Sequence, residues 1–93
     1  MSAAPEMAAD LQTALSHTAK LLESSPSLAA EQAHEILKLV PEQANALMFL
    51  ALAQDKLGNT QNAIDGLAKL CKLQPKWAAA HYELGLALWR TGQ

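Results

Sequence analysis

The sequence predicts an all-α chain of antiparallel helical hairpins, about five helices in one domain, and three observations carry that reading. Apolar residues make up 51% of the chain but aromatics only 4%, so the core is built from Ala and Leu. β-branched aliphatics are scarce, with Val only at Val40 and Ile only at Ile36 and Ile64, which argues against sheets. The chain also repeats itself: Pro41 and Pro75 lie 75 − 41 = 34 residues apart.

Shifting the chain by that interval aligns far more than the prolines. Lys38 and Leu39 fall on Lys72 and Leu73, and Ala29 falls on Ala63. Ala44, Ala46, Leu50, Leu52 and Ala53 meet Ala78, Ala80, Leu84, Leu86 and Ala87, and Gly58 meets Gly92. The full unit spans 44–77. A first helix from Asn45 to Leu57 carries Leu47, Leu50, Ala51 and Gln54 at helical spacing. Gly58 supplies the positive φ that ends it. Asn59 and Thr60 are expected N-caps for a helix from Gln61 to Leu73, with Ala63, Ile64, Leu67, Leu70 and Cys71 on one stripe. Pro75 separates that helix from the next.

The two ends flank this unit. Residues 4–40 read as an atypical N-terminal helix pair. The first, Ala4 to Glu23, has an apolar stripe of Met7, Leu11, Leu15, Ala19 and Leu22. Ser25 caps the second, Pro26 to Val40, with Pro26 at its first position. Residues 78–93 read as the first helix of an incomplete repeat. A helix expected to pack over Leu84, Ala87 and Leu88 is missing from the sequence, so the chain is expected to belong to a longer protein or to pair with a second copy through that open helix.

This pattern resembles the tetratricopeptide repeat (TPR). The family's early apolar and small positions are Leu47, Leu50 and Ala51, and again Leu84 and Gly85. Its turn glycine is Gly58 and Gly92, its second-helix alanine Ala29 and Ala63, and its terminal proline Pro41 and Pro75. His81 and Gln54 depart from the pattern, standing where the family prefers Trp or Leu and Tyr. The resemblance covers about Ser25 to Gln93 and implies a right-handed α-solenoid whose first helices line a concave ligand groove. From helix phase that groove holds Asn45, Met48, Leu52 and Asp55, then Ala79, Tyr82, Leu86, Trp89 and Arg90. The basic carboxylate clamp of the family's co-chaperones has no counterpart, because Met48, Leu52 and Leu86 occupy those places. The implied function is a protein–protein interaction scaffold for a peptide or amphipathic helix. A narrower resemblance, over Leu22 to Val40 and Leu73 to Gly92, is to the N-terminal repeats of bacterial TPR-containing sulfotransferases. It implies a recruiting arm and transfers no catalytic residue. The other reading is that Trp89 and Leu86 simply pack against a following helix.

Nothing in the composition asks for other chemistry. A net charge of −2 without a basic stripe gives no footprint for nucleic acid. The longest apolar run, Ala46 to Ala53, is far short of the ~20 residues of a membrane span. Lone Cys71 allows no internal disulfide and suits a reducing, cytoplasmic setting. His17, His34 and His81 have no metal-ligand spacing. Asp55, Asp65 and Glu83 are not paired with a nucleophile, so no enzyme, cofactor or metal is expected. Gly58, Gly66, Gly85 and Gly92 form no phosphate-binding loop, and Gly66 has no evident reason to lie inside a helix.

Overall fold

A computed structural model describes the backbone of residues 3–92 and the side chains of residues 10–92. Among the described residues the chain is all-helical: α1 (Ala3–Ser24), α2 (Pro26–Leu39), α3 (Ala44–Lys56), α4 (Thr60–Leu73) and α5 (Ala78–Thr91). Each helix packs on its neighbours in sequence, and α1 also reaches α3. The molecule measures 52 × 29 × 18 Å.

Local chemistry accounts for most boundaries. Ser25 accepts a hydrogen bond from the Leu28 amide, and Pro26 opens α2. Gly58 ends α3 at φ 88° and Gly92 ends α5 at φ 77°, backbone that L-residues rarely adopt. One cap was not anticipated and another differs from expectation. Gln43 caps α3, its Oε1 accepting from the Ala46 amide at 2.8 Å. At α4 neither expected residue caps: Asn59 holds the N-cap position without a side-chain bond. Thr60 donates its hydroxyl instead to Asp55 Oδ1 at 3.1 Å.

The core is a spine of small residues flanked by leucines. Ala29, Ala33, Ala46, Ala53, Ala63 and Ala80 have no exposed surface, so the helix backbones approach closely. Leu67 and Leu70 of α4 fill the space between α3 and α5. On α1, Leu15 and Leu22 are buried as expected, while Met7 lies outside the described side chains. Ala19 is exposed, contrary to expectation. Thr18 is buried in its place, because the buried face also takes in Ala14 and Leu21, which shifts its centre from position 19 to position 18. Its hydroxyl donates to the Ala14 carbonyl at 2.7 Å, which makes burial of a polar side chain tolerable.

Gly66 faces α3, and a Cβ added there would come 3.8 Å from the Ala51 Cβ. That is ordinary contact, so close approach does not require the glycine. Gly66→Ala should stabilise the fold by about 1 kcal/mol through helix propensity. The expected readout is a rise of roughly 4–8 °C in melting temperature; a fall would show that this crossing has no room for a methyl group.

Candidate functional site

The 34-residue repeat gives α3 and α5 equivalent faces, and the structure treats those faces differently. One face of each helix looks back along the chain. Ala46 and Ala53 of α3 pack with residues of α1 and α2, and the equivalent Ala80 and Ala87 of α5 pack with α4. Leu84 and Leu88 join this second cluster. They were expected to lie open beneath a missing helix; instead they are half-buried against α4, because they share a stripe with Ala80 and Ala87.

The other face looks forward. On α3 it runs through Ala44, Leu47, Met48 and Ala51, all packed into the cluster with α4 and α5. Met48 is 6% exposed and Ala51 1%. On α5 the equivalent positions are Ala78, His81, Tyr82 and Gly85, and all four are exposed. Tyr82 is 65% exposed, and Trp89, one heptad further along the same face, is 79% exposed. Between the two rings lies Gly85, where an added Cβ would meet nothing within 4 Å. Its φ is not positive. A mid-helix glycine costs about 1 kcal/mol relative to alanine, and neither a turn nor a close neighbour within the described chain accounts for that cost.

The groove read from helix phase is therefore only partly a surface. Met48 is core, not groove, because it shares its stripe with Ala44 and Ala51, which face α4. Leu52 is half-buried between two core clusters. Asp55, at the end of the Met48 stripe, pairs with Arg90 of α5 at 2.8 Å. This pair and the Thr60 hydroxyl compensate the partial burial of the carboxylate. Asn45 and Ala79 are exposed, and Leu86 is half-buried. Of the expected groove, Tyr82 and Trp89 remain as a large open apolar surface.

Two features lie elsewhere. An apolar cleft of about 360 Å³ opens between α1 and α2, lined by Leu11, Ala14, Ile36 and Leu39 with Asp10 and Glu35 at its edge. A more polar cleft on the same helix pair is lined by His17, Leu21, Glu31 and His34 among others. Sequence reasoning missed both, because a gap between α1 and α2 depends on how the two helices pack, which the apolar stripe of each helix does not specify. Among the described residues no group of three or more His, Cys, Asp or Glu is placed to hold a metal ion. Among the described residues no helix is long and apolar enough to cross a membrane. Partial burial raises the pKa of the Cys71 thiol, which keeps it protonated and poorly nucleophilic. His81 approaches the Pro75 carbonyl, with Nε2 2.7 Å from the oxygen, which ties the start of α5 to the preceding turn.

Comparison with known proteins adds one similarity. Over 66 residues, 71% of this chain, the sequence is 38% identical to a human protein described as "FK506-binding protein-like". The aligned stretch spans 19% of that protein's length. No protein-family model matches the chain, and no solved structure matches it.

Proposed function

We propose that this chain is a protein-interaction module of the TPR kind, a right-handed solenoid segment that holds a peptide or helix of another protein against the forward face of α5. The observation that carries this reading is the pair of exposed rings, Tyr82 and Trp89, set one heptad apart on one helix face. Aromatic side chains bring large contact area with few rotatable bonds, and they are enriched among the residues that dominate binding energy. The Asp55–Arg90 pair supports the reading by fixing the end of α5 against α3, so the rings are presented on a braced helix. The similarity to the human protein does not supply a ligand, since only a fifth of that protein is aligned. A recruiting arm for a sulfotransferase gains nothing from any feature of this surface.

Trp89→Ala is the test. Peptides selected by display on the immobilised protein should lose at least ten-fold in affinity for the variant, measured by fluorescence anisotropy. Because the side chain is mostly exposed, stability should change by no more than about 0.5 kcal/mol. If the selected peptides bind the variant as tightly as the parent, the docking reading fails. A large fall in melting temperature would show instead that Trp89 holds the fold together.

A further inference from the structure

We infer that the groove between α1 and α2 binds a basic peptide segment with apolar anchor residues, its cations held by Asp10, Glu31 and Glu35. That groove lies on a different helix pair from Tyr82 and Trp89, so the loss of one binding face leaves the other standing. Its two clefts are continuous, since Gln32 and Glu35 line both. On α1 they take in Leu11, Ala14, His17 and Leu21, and on α2 Leu28, Gln32, Glu35 and Leu39. Steps of three or four residues keep each set on one face of its helix. Leu28 is 50% exposed and Leu39 82% exposed. They stand eleven residues apart, about 16 Å along the helix. A strip of that length fits a short linear segment better than a compact small molecule.

Charge selects the occupant. Asp10, Glu31 and Glu35 line the clefts, and no lysine or arginine does. Lys38 bonds Glu35 at 3.2 Å, but both side chains are mostly exposed, so the pair is weak and an incoming cation can share the carboxylate. Over residues 10–43, five carboxylates (Asp10, Glu23, Glu31, Glu35 and Glu42) stand against Lys20 and Lys38, a net −3. Residues 44–93 hold five Lys and Arg against three carboxylates, a net +2. The groove therefore sits in the acidic part of the molecule, which steers basic segments toward it. The cleft of about 360 Å³ lined by Leu11, Ala14, Ile36 and Leu39 takes the apolar anchors, whose burial supplies affinity that exposed ion pairs alone do not. A second copy of the chain is the poorer match. The exposed large hydrophobics of its basic part are Leu57, Tyr82 and Trp89. Lys56 is the single cation next to Leu57, and Arg90, next to Trp89, is already held by Asp55 at 2.8 Å.

The probe is the acetylated, amidated hexapeptide Lys-Lys-Leu-Leu-Lys-Lys, titrated into the isotope-labelled protein and followed by NMR. Amide shifts at Leu11, Ala14, Gln32, Glu35 and Leu39 are the expected result, with micromolar to millimolar affinity. That affinity should fall roughly ten-fold between about 20 mM and about 500 mM salt. Glu31→Gln combined with Glu35→Gln should weaken binding roughly five-fold. Leu39→Ala should weaken it by a similar factor without lowering the melting temperature, because that side chain is mostly exposed. The peptide Glu-Glu-Leu-Leu-Glu-Glu should leave the signals still, and Lys-Lys-Ser-Ser-Lys-Lys should bind much more weakly than the leucine peptide. Equal binding of the acidic peptide would overturn the selection by charge. Equal binding of the serine peptide would reduce the contact to unspecific ion attraction and overturn the groove. Shifts confined to α3, α4 or α5, or none, would overturn the proposal outright. Shifts of the same signals with protein concentration alone would assign the groove to a second copy and overturn it as well.

Discussion

Leu70→Ala should remove about 3–4 kcal/mol of stability, a large part of what a domain of this size has. Leu70 is fully buried, in the cluster that joins α3, α4 and α5. Shortening it removes the transfer free energy of the lost methyl groups and leaves a cavity. The helix backbones cannot collapse to fill that cavity, because Ala51, Ala63 and Ala80 already bring them into contact. The melting temperature should fall by roughly 15 °C or more. Leu39→Ala is the matched control, since Leu39 is 82% exposed and its loss should change stability by no more than about 0.5 kcal/mol. Equal effects of the two changes in urea unfolding would refute the placement of the core.

The second large effect is expected from adding volume. Ala53→Leu should destabilise by about 2–3 kcal/mol, because the site has no space for three further carbon atoms. Ala53 has no exposed surface and packs in one cluster with Leu22 and Ala29, where α3 meets the first two helices. The added side chain must therefore push helices apart, and it loosens several contacts at once. Ala19→Leu makes the same chemical change on the exposed side of α1 and should be tolerated. Circular dichroism melts of the pair are sufficient: a neutral Ala53→Leu would mean that the helices are not in close contact there.

The helical architecture was legible because its determinants are local and repeated. Gly58 and Gly92 end helices at positive φ, and Ser25 with Pro26 opens one, each through backbone chemistry that a few adjacent residues specify. The apolar stripe of α4 was legible for the same reason, since Ala63, Ile64, Leu67 and Leu70 keep helical period and are all buried. Other features depend on partners distant in sequence. Met48 was assigned to a groove, yet whether its stripe is surface or core depends on how α4 and α5 close over it. The Asp55–Arg90 pair joins residues on different helices, and helix phase cannot choose such partners. Asn59 failed as a cap although its residue type is favoured, and Thr60 found Asp55 before the backbone. An open face on α5 was expected at Leu84, Ala87 and Leu88; that these pack against α4, leaving Tyr82, Gly85 and Trp89 open, depends on tertiary packing that a sequence does not record.

The packing of each helix mainly on its neighbours in sequence has a kinetic consequence. Contacts between adjacent helices close short loops, so little chain entropy must be overcome before the first contacts form. Chains dominated by such local contacts fold in microseconds to milliseconds. The hairpin of α3 and α4, adjacent in sequence and packed on each other, is the kind of local unit expected to form early in such folding.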